Sequence, residues 1–213
     1  MSIAVSRAKK VRRAGLLMTV LILSACSILP KPETLVIYQL PATPLSTQTD
    51  TVTSHALPWS LRVTTPYSSQ VIDSQRVLVV PEGSQVSAYS GVRWSDPAPV
   101  LVRNRLASAF RANGQLSSVS IDHSGMDADF ELGGDLVAFQ AVYQNGFPIV
   151  RIHYDASLSQ PGANRTVATH RFEATEPVQG KDAPEVIEAF GRAADRLAGA
   201  MVDWTLQHLK NAK

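Results

Sequence analysis

Apolar and polar positions change period several times along this chain, and each change marks an element. Residues 34–40 are β-rich, and Pro41 stops them. Residues 42–58 are rich in Ser and Thr with few large apolar side chains, the composition of a loop or linker. Trp59, Leu61 and Val63 then alternate with Ser60, Arg62 and Thr64, which predicts a half-buried strand ended by Pro66. Residues 75–80 and 84–89 flank Pro81-Glu82-Gly83 as a hairpin. Val77, Leu78, Val79 and Val80 are apolar on both faces, so this strand is expected at the centre of the sheet. Val102, Leu106 and Phe110, with Ala109 beside them, have helical spacing; Arg103, Arg105 and Arg111 are expected to point away. Ser95 or Asp96 is the expected cap, with Pro97 in the first turn and Asn113-Gly114 as the stop.

The second half carries the longer patterns. Residues 117–121 form a short strand, followed by a turn at Asp122-His123-Ser124-Gly125. Residues 130–143 form a long strand in which Leu132, Leu136, Ala138 and Tyr143 serve different layers, with a bulge or close backbone approach at Gly133-Gly134. Asn145-Gly146 is a strong hairpin signal. Val150, Ile152, Tyr154, Ala156 and Leu158 alternate with Arg151, His153, Asp155 and Ser157 on the return strand. Pro161-Gly162 turns the chain into a further strand at 166–174. Asp182 caps a final helix whose stripe is Val186, Phe190, Ala194, Leu197, Met201 and Trp204, widened by Ile187, Ala193, Ala198 and Leu209. Glu185, Glu188, Arg192, Asp195 and Arg196 make the opposite face, so the stripe reads as core. This layout predicts an α+β (mixed α/β) fold: a predominantly antiparallel or mixed sheet with two long amphipathic helices packed on one face.

The amino end is different in kind. Arg7, Lys9, Lys10, Arg12 and Arg13 precede a short apolar run at 14–23, and Leu23-Ser24-Ala25-Cys26 follows. A basic segment, a short apolar core and a small-residue cleavage site are the plan of a secretory signal. The run is too short to span a bilayer, which takes about 20 apolar residues. Cleavage between Ala25 and Cys26 would place the single cysteine first, where its thiol can accept diacylglycerol and its amine a third acyl chain. One chain holds a protein only marginally, and two or three anchor it. Cys26 therefore reads as a lipidation site rather than a redox or metal residue. Ser27 after it favours the outer membrane, with the body facing the periplasm. The expected division is a signal at 1–25, a lipidated terminus with first strand and linker at 26–58, and the main domain at 59–213.

That cleavage also changes the charge. The whole chain has 20 Lys and Arg against 18 Asp and Glu, but five of the basic residues lie in the signal. The mature chain is net acidic, which removes the electrostatic case for nucleic-acid binding. With its one cysteine acylated there is no disulfide, and stability must come from packing.

Candidate chemistry is sparse. His55, His123, His153, His170 and His208 share no metal-binding spacing, and no metal is expected. Asp127, Asp129, Glu131 and Asp135 lack the glycine and terminal glutamate of a calcium loop and read as a solvated strand end. Asp122, His123 and Ser124 offer triad residue types, but adjacent residues cannot stack nucleophile, base and orienter in line. No catalytic residue is expected, and no cofactor beyond the covalent lipid. Tyr89, Arg93 and Trp94 are the contact candidates, since Tyr, Arg and Trp are enriched at interface hot spots and here sit between a strand and a helix. Trp94 equally suits a core plug beneath the first helix.

These stretches resemble the ABC-type transport auxiliary lipoproteins, the family of the paraquat-inducible protein C lipoprotein. The resemblance rests on the lipobox at Cys26, on Tyr38-Gln39-Leu40-Pro41, and on Tyr89-Ser90-Gly91-Val92-Arg93-Trp94-Ser95-Asp96-Pro97 running into a helix. It continues through Ala128-Asp129-Phe130-Glu131-Leu132, Asp135-Leu136-Val137-Ala138-Phe139 and the last helix. It implies a non-enzymatic outer-membrane component of an envelope lipid transport system that helps maintain membrane integrity. Its partners would be a periplasm-spanning MCE-domain protein and, through that, an inner-membrane permease and ABC complex. The resemblance also implies a homo-oligomeric ring. A stand-alone lipoprotein binding a small apolar ligand is the competing reading, and it requires a deep apolar pocket between helices and sheet.

Overall fold

The computed structural model describes residues 34–42, 57–122, 125 and 127–212. The signal, Ala25, Cys26, most of the Ser/Thr-rich segment, His123 and Ser124 lie outside the described residues. Eight strands form one mixed sheet, with two helices against it. They are β1 (Val36–Tyr38), β2 (Leu57–Val63), β3 (Arg76–Glu82), β4 (Gln85–Trp94), α1 (Ala98–Asn113), β5 (Leu116–Ile121), β6 (Phe130–Gln144), β7 (Phe147–Gln160), β8 (Arg165–Pro177) and α2 (Ala183–Lys210).

β6 is the trunk of this sheet. Along one edge it pairs antiparallel with β7 from end to end, and β7 continues to β8. Its other edge forks. Phe130 to Leu132 pair parallel with β2, which leads to β5, whereas Ala141 and Val142 pair parallel with β3, which leads to β4 and β1. A single bridge from Tyr67 to Asp135 fills the fork. Long-range parallel pairing of this kind leaves no local sequence mark, since each strand needs only its own alternation.

Local chemistry explains most element ends. Asn145 and Gly146 have φ of 52° and 80°, the left-handed pair that a two-residue hairpin needs. β3 runs on to Glu82, so the turn is at Gly83-Ser84 rather than at Pro81-Glu82-Gly83. Pro81 sits where the β3–β4 register shifts, a place that tolerates a missing N–H. Gly133-Gly134 is a close approach and not the bulge. The register of β6 shifts between Leu136 and Ala138, while a Cβ on Gly134 (φ 136°) would run into the Asp155 carbonyl.

Three expectations need correction. Residues 90–94 are not a connection between strand and helix, because β4 continues through Trp94. Neither Ser95 nor Asp96 caps α1. Pro97 holds that position without a side-chain bond, and Ser95 is already engaged, donating its N–H to the Tyr38 carbonyl at 2.8 Å and its hydroxyl to Asp96 at 2.9 Å. Arg103 and Arg105 do not point away from the core side. Both are buried, and only Arg111 keeps to the exposed face.

The reason is that α1 packs against both α2 and β5, so it has too little free circumference for three outward arginines. Arg103 donates to Asp122 at 2.7 Å and to Thr65 at 2.8 Å, and Arg105 pairs with Asp195 of α2. The apolar stripe of α2 is buried as expected from Val186 to Met201, with Trp204 half-buried. Trp94, Phe139 and Phe190 form its centre, with ring centroids 4.7–5.8 Å apart.

Candidate interaction surface

The stretch from Tyr89 to Trp94 is a bulged end of β4. Between the Leu78–Ala88 and Arg76–Arg93 pairs, β3 advances two residues and β4 five. Gly91 absorbs the excess with a φ of 69°, which a larger residue would adopt only under strain. The bulge delivers three side chains to three environments. Trp94 is completely buried between Phe139 and Phe190 and has become core. Tyr89 is half-buried, and burial first, then Tyr143 beside it, hold its hydroxyl above the ordinary phenol range. Arg93 is half-buried on the opposite side of the strand from Trp94.

Arg93 meets a residue that no local pattern pairs with it. Its partner across β3 is Arg76, and across β1 it is Ile37, so Ile37, Arg93 and Arg76 form one row over three strands. No carboxylate pairs with either guanidinium among the described residues. Only the register, set by the bulge, could reveal this.

β1 lies at the sheet edge with Leu35, Val36 and Ile37 44–54% exposed. After it the chain crosses onto the helices, where Pro41 lies against Gly191 of α2. A cavity of about 270 Å³ opens beside this crossing, lined by Gln39, Leu40, Ser95, Asp96, Asn104 and Arg105 among others. It is open and of mixed polarity. The space between helices and sheet, where an apolar ligand would have to sit, is occupied by Trp94, Leu136, Phe139, Val186, Phe190 and Leu197.

The acidic run is structural. Asp129 accepts bonds from the N–H and hydroxyl of Ser60 at 2.8 and 2.6 Å, which hold its carboxyl below the ordinary range, and Glu131 pairs with Arg62 at 3.4 Å. Among the described residues no three His, Cys, Asp or Glu side chains come together as a metal site would require. His153 lies 3.1 Å from Asp155, whose carboxyl is pulled to about 2 chiefly by its bond to Arg171. Among the described residues no helix is long and apolar enough to cross a membrane.

Residues 38–202 match the family described as ABC-type transport auxiliary lipoprotein component. The chain belongs to that family. The match runs from the last residue of β1 to Val202 in α2, so it takes in nearly the whole described body. A crystal structure of protein XCC0632 from Xanthomonas campestris is similar, with TM-score 0.73 and 26% identity over 83% of this chain and 98% of that one. The hypothetical protein CT253 from Chlamydia trachomatis shares the fold, with TM-score 0.54 at 7% identity over 73% of this chain and 99% of that one. Protein bll6063 of Bradyrhizobium diazoefficiens is 26% identical over 148 residues, 69% of this chain. This auxiliary lipoprotein spans 39% of the length of that curated relative.

Proposed function

We propose that this protein is the outer-membrane component of an envelope lipid transport system, anchored through acyl chains on Cys26 and docking a periplasm-spanning MCE-domain protein. The observation that carries the reading is the family match, which covers the last residue of β1, the bulged end of β4, all of α1 and most of α2. The lipobox and Ser27 support the anchor and its membrane. A core closed by aromatic side chains supports a docking part over a ligand carrier, because nothing of apolar-ligand size fits between the helices and the sheet without displacing Trp94 or Phe190.

Partner contact falls to the exposed part of β4. Val86 is 46% exposed, Ser87 and Ala88 are exposed, and Tyr89 anchors them to the core. The assembly is a homo-oligomer, which presents several copies of this strand to one partner and multiplies weak contacts. No step of the function is catalytic.

The test is photo-crosslinking in cells from Val86 and from Tyr89, with mass spectrometry of the adducts. An MCE-domain protein and a second copy of this chain are the expected products. Repeated crosslinking that captures neither would refute the docking role. Cys26→Ala should separately abolish fatty-acid labelling and release the protein from the outer-membrane fraction.

A further inference from the structure

We propose that the sheet face carrying Arg76 and Arg93 rests on anionic phospholipid headgroups of the membrane that holds the anchor, an inference that depends on the lipidated Cys26 above. Arg76 and Arg93 are direct cross-strand partners. Like charges so placed destabilise a sheet unless something neutralises them. Six of the nine other described arginines have a carboxylate partner. Arg62 has Glu131, Arg103 has Asp122, Arg105 has Asp195, Arg171 has Asp155, and Arg192 and Arg196 share Glu176. The facing pair has no such partner among the described residues, and the buried Nε of Arg93 has no hydrogen-bond acceptor.

The flank of the pair identifies the occupant. Ile37 completes the row beside Arg93, and Leu35 lies two residues earlier; they are 54% and 48% exposed. Guanidinium groups matched to phosphate, next to aliphatic side chains, suit a bilayer interface, where headgroup and acyl boundary lie a few ångströms apart. An acidic protein surface would satisfy the charges and leave the aliphatic flank unexplained.

Tether length adds the second argument. Only nine residue steps separate Cys26 from Leu35. At about 3.3–3.6 Å per residue Leu35, at the edge of the patch, stays within roughly 30 Å of the anchor. Contact with the bilayer is then intramolecular in effect, and two cations near an anionic surface suffice to bias it, by roughly fivefold each.

The experiment uses the acylated protein in vesicles. Cys26 is the only cysteine, so acylation leaves Ile37→Cys as a unique site for a polarity-sensitive dye. In phosphatidylcholine vesicles containing phosphatidylglycerol, the dye should shift to the blue, and high salt should reverse the shift. Arg76→Gln with Arg93→Gln should lower the docked-to-free ratio about 30-fold without lowering the melting temperature. Arg76 is exposed, so Arg76→Gln alone, with about a fivefold loss, serves if the double variant folds poorly. A dye that reads the same with and without phosphatidylglycerol overturns the proposal, as does one that shifts only when an MCE-domain protein is added. If the parent protein takes up dye at Cys26, the anchor reading fails and this inference falls with it. If Cys26 is blocked and the Ile37 dye stays in water, this inference alone fails.

Discussion

Pro41 lies directly on Gly191: a Cβ built on that glycine would stand 2.8 Å from both the Cβ and the carbonyl oxygen of Pro41. The contact locks the segment after β1 onto α2, 150 residues away in the chain. It explains a glycine in mid-helix, which costs about 1 kcal/mol against alanine unless the space is needed. Ser95 adds a second fastening by donating its N–H to the Tyr38 carbonyl. Residues 38–41 are thereby held both to the β4–α1 junction and to α2.

Gly191→Ala should therefore destabilise the protein despite its gain in helix propensity. Backbone, not a flexible side-chain end, is in the way, so relief requires moving the Pro41 segment at a cost of about 1–3 kcal/mol. A lowered melting temperature and faster proteolysis near Pro41 are the expected readouts. An alanine variant more stable than the parent would show that the contact is not close.

Trp94→Ala should unfold or severely weaken the protein, with a loss of about 3–5 kcal/mol. The indole is wholly buried and edge-on to Phe139 and Phe190. Trp94→Phe should retain the fold and partner binding. Normal melting with lost binding in the alanine variant would place Trp94 back at a contact surface.

Asp122→Asn should cost about 2–3 kcal/mol, because it leaves the buried Arg103 guanidinium without a counter-charge. Asn keeps one acceptor oxygen, enough for the Thr65 N–H that Asp122 Oδ2 accepts at 2.9 Å but not also for Arg103 on Oδ1, so the loss combines the charge with one hydrogen bond. Combining it with Arg103→Leu should cost less than the sum of the two, a coupling that a double-mutant cycle of denaturant midpoints measures.

Glu176 should make stability fall in acid. Burial raises its pKa, but bonds from Arg192 at 2.7 Å and from Arg196 outweigh that and leave it below the ordinary 4.5. A carboxyl depressed in the folded state stabilises fully above its unfolded value, and the contribution is lost as pH drops through the folded value. Glu176→Gln should thus be less stable than the parent at neutral pH, by no more than about 1 kcal/mol because both arginines are screened by solvent. The gap should close below pH 4.5. A gap that widens in acid would reverse the assignment.

Much of the body was legible from residues alone. Alternation in β7, the Asn145-Gly146 turn and the stripe of α2 are local patterns, and the structure reproduces them. The start of α1 was less legible because Ser95 had better partners elsewhere, whereas its stop at Asn113-Gly114 stands as read. Its arginines were misread because burial depends on what surrounds a helix. The bulge at Gly91 was hidden inside a motif whose composition suggested a connection.

Element types, their order and the buried stripe follow from periodicity, because side-chain direction repeats every two residues in a strand and every 3.6 in a helix. The fork of β6, the seating of Pro41 on Gly191 and the meeting of Arg76 with Arg93 required the folded chain. Each joins residues distant in sequence through register or close packing. Chain periodicity carries no information about which distant residue will stand opposite.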